Sequence, residues 1–236
     1  MIETVHITVL VSIFLVASVA EAWLPARPLV RDDRRLALNF GLGLGAMLIG
    51  WLPWIGPMAA AMKSAKGQIG ALRHDSLPDL SWTLEAMLAV VLFSLASYGL
   101  HRLMHRFDLL WHVHKLHHQD GQLDFSTGFR SHPLEAILSS ICLAIVTVLI
   151  GFDPIAVAAA LILLQALDLA AHSNVDLPAR AEALLGRVIV TPAIHSRHHS
   201  ANRLEHDSNY GNGLIIWDRL FGTYSGRRSP DRLGLH

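Results

Sequence analysis

The chain has 236 residues, of which 52% are hydrophobic and only 16% charged, with a mean hydropathy of +0.40. A soluble domain is about a quarter charged, so this composition points to a membrane protein of one sizeable domain. Nineteen basic residues balance nineteen acidic ones, which removes the electrostatic case for nucleic acid. The single cysteine, Cys142, excludes an intrachain disulfide and any Cys-based metal site. Histidine is the outlier, with 15 residues, 12 of them between His101 and His206.

In chain order, Val5–Leu24 is an apolar run near the ~20 residues that a helix needs to cross the hydrocarbon core. Glu3 and the lack of Lys or Arg before this run argue against a cleaved signal peptide. Arg27, Arg31, Arg34 and Arg35 crowd the next loop. A second span is expected from Leu36 to Pro57, where Gly41, Gly43 and Gly45 offer close helix approach. Met58–Leu80 reads as an external loop. Trp82–Leu100, Leu134–Ile150 and Ile155–Ala171 read as three further spans, the last two joined by a tight turn at Gly151-Phe152-Asp153-Pro154. The fourth is short enough for the fourth and fifth to form a shallow hairpin. With the Arg-rich loop cytoplasmic, only Lys63, Lys66 and Arg73 lie outside and the other 16 Lys and Arg lie inside. The expected fold class is all-α: a multi-pass transmembrane helical bundle with a cytoplasmic helical cap. Residues 1–80 form an N-terminal transmembrane region and 81–236 a histidine-bearing one.

This topology puts every dense histidine segment on one side. His101 and His105 are spaced i, i+4, so they share a helix face. His114, His117 and His118 are spaced i, i+3, i+4, and His195, His198 and His199 repeat that spacing. A helix carrying HxxHH presents three imidazoles toward one point, and two such helices facing each other enclose a pair of metals. His112 sits ~200° around the helix from His114 and is left out. Clustered cationic imidazoles repel, whereas neutral ones sharing a metal are stabilised by it. Imidazole suits Fe, Zn, Cu and Ni alike, but the HExxH pattern of zinc proteases is absent. Eight or more nitrogen ligands suit a dinuclear site best.

The segments YGLHRLMH (98–105), WHVHKLHH (111–118), RSHPLE (130–135), HSNVDLP (172–178), TPAIHSRHH (191–199) and DSNYGNGLIIWDRLFGTY (207–224) succeed one another in a specific order and spacing. Together they resemble the fatty acid hydroxylase (sterol desaturase-like) superfamily of integral-membrane oxygenases. The resemblance implies two Fe ions, with Zn able to stand in for them in purified protein. It implies His101, His105, His114, His117, His118, His172, His195, His198 and His199 as ligands. His132 occupies the family's RxHPxE position, as a ligand or as a group behind one. Asp168, one turn before His172, stands where some branches carry another histidine. It is expected to bind metal or to hold a ligand's second N–H, because an ionisable group near the end of an apolar span is costly unless used. Asn174 is a weaker candidate of that kind. The chain departs from the family at Ser94 and Gly99, where members often carry an acidic residue and a Trp.

The remaining features receive structural readings. His206 reads as a solvated loop residue, and His6, His74 and His236 have no partners at helpful spacing. Trp217, Leu220, Phe221 and Tyr224 fall at i, i+3, i+4, i+7, a stripe expected to pack the tail against the histidine helices. Arg130 and Glu135 are expected to pair beneath the site, a surface role being the alternative.

The activity implied by the resemblance is O2-dependent hydroxylation or desaturation of a lipid C–H bond in an acyl chain, sterol or carotenoid. Nothing in the chain resembles a haem, flavin or Fe–S domain, so the resemblance implies an external ferredoxin- or cytochrome-type electron donor. Two other classes use the same histidines: a zinc-dependent membrane hydrolase or lyase, and a non-enzymatic metal-handling protein. The second and third spans carry no ligands midway, which disfavours transport.

Overall fold

The computed structural model describes residues 2–67, 70–73, 80–226 and 230–235. Five long helices dominate: α1 (Ile2–Trp23), α2 (Asp33–Gly67), α3 (Trp82–Arg106), α5 (Pro133–Ile150) and α6 (Pro154–His172). Five short ones, α4 (Asp108–His118), α7 (Ala179–Leu185), α8 (Pro192–His198), α9 (Arg203–His206) and α10 (Ile216–Leu220), build the connections. Among the described residues, strand pairing is limited to isolated bridges such as Pro25 with Val175 and Ser200 with Leu233. α3, α5 and α6 are long and apolar enough to cross a membrane.

The helix starts are written locally. His132, Asp153 and Thr191 each cap a helix by accepting a backbone N–H through the side chain, and each is followed by proline. Proline costs nothing in the first turn, where its missing N–H has no helical partner. Gly151 ends α5 at φ 79°, the left-handed conformation that glycine adopts without a Cβ clash. The two flanking helices therefore reverse over Gly151–Pro154, as the turn residues lead one to expect.

Packing then gathers one end of each long helix. Glu85, in the first turn of α3, accepts from the Asp153 N–H at the start of α6, so α3 and α6 run parallel. Between them Phe93 meets Phe152 edge-on at 5.8 Å, within a core that includes Val157, Leu161 and Leu164. α5 runs antiparallel, and α2 packs most extensively along it. The C-termini of α3 and α6 and the N-terminus of α5 consequently meet at the end opposite Glu85.

α2 is longer than expected. It continues past Pro57 to Gly67, because Ala59, Ala60, Ala61 and Met62 are strong helix formers. The rest of the expected external loop holds a short 3-10 turn at Ala71–Arg73, while 68–69 and 74–79 lie outside the described residues. His74, His236 and the side chain of His6 lie outside them as well. Of Gly41, Gly43 and Gly45, only Gly43 makes a close approach: a Cβ there would meet Phe129 Cβ at 2.7 Å.

A buried polar network locks α1 and α2 to the segment between α4 and α5. Arg35 bonds Asp120 at 2.6 Å and Asp124 at 2.8 Å, with both carboxylates nearly fully buried. Asn39 donates to Asp120 at 2.8 Å and accepts from Arg130 at 2.9 Å. Glu21 Oε1 accepts from the N–H groups of Phe125 and Asn174 at 2.8 and 2.7 Å. Replacing Arg35 by Leu leaves two buried carboxylates without their cation, so thermal unfolding in detergent should report a loss of about 3–5 kcal/mol. Arg31→Leu, whose side chain is 85% exposed, should cost less than about 1 kcal/mol in the same measurement.

Candidate metal centre

Nine imidazoles meet at the gathered end of the bundle, delivered by α3, α4, α6 and α8. They form two groups: His101, His105, His114, His118 and His198 in one, and His117, His172, His195 and His199 in the other. Within each group, one nitrogen per ring lies within 4.8 Å of all the others. Each HxxHH segment is divided between the groups. His114 and His118 turn to the first and His117 to the second, whereas α8 sends His198 to the first and His195 and His199 to the second. A helix turns about 100° per residue, so the i+3 ring leaves the line of the i, i+4 pair and reaches the neighbouring group.

The outer nitrogens define the tautomers. Nδ1–H of His101, His117, His172 and His198 donates to the carbonyl oxygens of Tyr210, Arg130, Asp168 and Ser208, at 2.9, 3.1, 2.8 and 2.7 Å. Nδ1 of His114 meets Glu135 Oε1 at 2.9 Å and Nδ1 of His105 meets Asp207 Oδ1 at 3.2 Å. A neutral imidazole carries one proton, so in these six rings Nε2 is left with a bare lone pair. Yet Nε2 of His101 lies 2.9 Å from Nε2 of His114, and Nε2 of His117 lies 3.0 Å from Nε2 of His172. No N–H···N hydrogen bond is available to either pair. Nε2 of His105 and of His198 is buried with no hydrogen-bond partner among the described residues. Cis nitrogens around a metal at about 2.0–2.1 Å lie roughly 3 Å apart, so the donor set fits metal ions.

Electrostatics favour the neutral form. Burial first, and then the neighbouring imidazoles, hold His117, His118, His195, His198 and His199 well below the usual histidine range. A metal ligand must be deprotonated, and these rings already are at neutral pH.

The other expected site residues take different places. His132 stands outside both groups, its Nδ1 capping α5 by accepting from Leu134 N at 3.1 Å. Asp168 stands behind His172: its carbonyl accepts the ring N–H, while its carboxylate is 3.8 Å from that nitrogen and receives Asn212 at 3.4 Å. Asn174 bonds the backbone of Arg27 instead. Arg130 and Glu135 do not pair. Arg130 reaches the Leu116 carbonyl and Asn39, and Glu135 reaches His114, because each has a nearer buried partner. His206 is buried, not solvated, with its ring stacked 5.5 Å from Trp111. The expected stripe breaks where α10 ends at Leu220: Trp217 donates to Ser94 and Phe221 stacks on Tyr98, but Leu220 is exposed. His112 is exposed, as its spacing implies.

Asp218 lies within the 207–224 segment but receives no role from the sequence, yet it shapes the loop that holds two ligand candidates. Its carboxylate accepts from the N–H groups of Tyr210 and Gly211 at 2.8 and 2.7 Å and from the Thr223 hydroxyl at 2.7 Å. That fold aims the Ser208 and Tyr210 carbonyls at His198 and His101. The sequence signal is an acidic residue, followed by Arg219, set among the apolar residues of the 214–221 stretch. A cavity of about 310 Å³ adjoins both groups, bounded by α3, α5 and α6.

Residues 86–223 match the model of the Fatty acid hydroxylase family. The chain is 32% identical over 147 residues to ornithine lipid hydroxylase OlsE of Rhizobium tropici, covering 62% of this chain and 43% of that protein. It is 30% identical over 164 residues to the alkylglycerol monooxygenase of Homo sapiens, covering 69% and 35%. With that of Danio rerio the identity is 31% over 147 residues, covering 62% and 31%. The matched segment thus spans less than half the length of these relatives. No solved structure matches the chain. The family match takes in more than half of the sequence and every imidazole of both groups, and on that ground the chain belongs to the fatty acid hydroxylase family.

Proposed function

We propose that the protein is a multi-pass membrane oxygenase that holds two iron ions and hydroxylates a C–H bond of a lipid at the cytoplasmic face. The observation that carries this reading is the pair of lone-pair contacts, His101 with His114 and His117 with His172, at 2.9 and 3.0 Å. Buried lone pairs at that separation repel unless a cation lies between them. The five-histidine group would hold one ion and the four-histidine group the other, with Asp168 behind His172. Residues 81–236 carry the catalytic region, and 1–80 contribute two further spans. The ornithine lipid hydroxylase and alkylglycerol monooxygenase relatives support lipid hydroxylation over hydrolysis.

When bound, the iron pair supplies the activation of O2, which no side chain can perform. The overall reaction is R–H + O2 + 2 e− + 2 H+ → R–OH + H2O, the electrons arriving from a ferredoxin- or cytochrome-type protein. The chain's own residues bind and orient. Backbone carbonyls on the far side of His101, His117, His172 and His198 hold each ring with Nε2 inward. α3, α5 and α6 line part of the cavity with Leu100, Leu143, Leu161 and Leu164, which limits the water that enters it.

Two measurements test this reading. His117→Ala and His198→Ala each remove a ligand from a different group, so each should lose roughly half of the bound metal by elemental analysis and nearly all O2-dependent activity. A metal-replete, fully active variant would exclude the residue as a ligand. The second test is acid stability of the metal-free protein. Its five titrating loop and short-helix imidazoles are neutral when folded, each below its ordinary value of 6.5. The unfolded chain therefore binds more protons, and stability is full above about pH 6.5 and falls as pH drops toward the folded values. Each imidazole contributes up to about 1.4 kcal/mol per pH unit. Thermal melts should fall steeply between pH 7 and pH 5, and a flat profile would contradict the burial of neutral rings.

A further inference from the structure

The two histidine groups differ in what stands behind their rings. In the five-histidine group the outer nitrogens of His101 and His198 are held by carbonyls, and two others are held by carboxylates. His114 Nδ1–H donates to Glu135 Oε1 at 2.9 Å, and His105 Nδ1–H donates to Asp207 Oδ1 at 3.2 Å. Only His118 has an outer nitrogen without a hydrogen-bond partner among the described residues. In the four-histidine group His117 and His172 are held, each by a backbone carbonyl. Nδ1 of His195 and of His199 is buried with no such partner among the described residues. The Asp168 carboxylate approaches this second group but stays 3.8 Å from His172 Nδ1, beyond hydrogen-bond reach.

These differences act in one direction on a bound cation. A carboxylate that accepts an imidazole N–H fixes the ring and makes it a stronger donor, and partners of this kind are worth about 10–100-fold in metal affinity. It also places negative charge close to the cation, where little water screens it. Glu135 contributes more than Asp207. Its side chain is 17% exposed against 36%, and Arg203 already faces the other Asp207 oxygen at 3.3 Å. Glu135 Oε2 is buried with no hydrogen-bond partner among the described residues, so a nearby cation relieves its charge. We infer that the two groups are unequal metal sites. The five-histidine group binds its ion more tightly and retains it at lower free metal, with Glu135 and Asp207 as positioning residues that supply the difference. This rests on the proposed metal centre but not on the oxygenase reaction.

The full chain, loaded with zinc in neutral detergent, is equilibrated against chelator buffers of falling free zinc, and bound zinc is counted by elemental analysis. Two separate losses are expected, with midpoints at least about tenfold apart. His198→Ala should remove the tight step and His117→Ala the weak one. In Glu135→Gln the amide oxygen still accepts the His114 N–H, so only the charge is lost. That variant should weaken the tight step by about tenfold or more and leave the weak step in place, and Asp207→Asn should do the same to a smaller extent. A role in folding alone would move both steps or neither. A single midpoint for both ions overturns the inference and leaves the metal centre standing. So does a tight step that survives in His198→Ala or that Glu135→Gln does not move. Should Glu135→Gln fail to fold, Asp207→Asn must still shift the tight step alone. Absence of bound zinc at every free concentration sinks the metal centre itself, and the inference with it. If both steps behave as expected but iron-loaded protein with O2 and reductant forms no oxidised lipid, the oxygenase reading fails and the inference stands.

Discussion

Buried imidazole lone pairs that face one another at hydrogen-bond distance are the constraint around which this structure is organised. An unpartnered buried polar atom costs free energy, and two that repel cost more. The chain nevertheless brings nine imidazoles together and, in six of them, turns the proton outward onto a carbonyl or carboxylate. Alone, that arrangement opposes folding. With cations between the nitrogens, the same arrangement is stabilised by binding.

Apart from the Asp168 carbonyl on α6, the carbonyls that hold the rings come from parts of the chain with no ligand candidate of their own. The Tyr210 and Ser208 carbonyls are aimed by the loop folded around Asp218. The Arg130 carbonyl, which holds His117, belongs to a residue whose guanidinium is clamped by Asn39 on α2. The network of Arg35, Asp120 and Asp124 secures the same segment from the N-terminal side. α1 and α2 lie outside the matched family segment, yet they contribute to ring orientation through these bonds.

The bundle also fixes what lies in front of the rings. Because α3 and α6 are parallel and α5 antiparallel, the polar ends of all three helices meet at the histidines while their leucines extend away. The cavity between them inherits this gradient.

Much of this was legible in the sequence, for local reasons. Apolar run lengths gave the approximate positions of the long helices, proline and capping residues marked where α5, α6 and α8 begin, and i, i+3, i+4 spacing identified the rings that cluster. These signals depend only on helix geometry and on side chains within a turn of one another. Tertiary structure alone decided how each HxxHH segment is shared between two groups, that His206 is buried against Trp111, and that Arg130 and Glu135 serve different partners. It also decided that His132 caps a helix at the edge of the site. Each of these outcomes depends on the rotation of one helix against others that are remote in sequence, and no local pattern carries that angle.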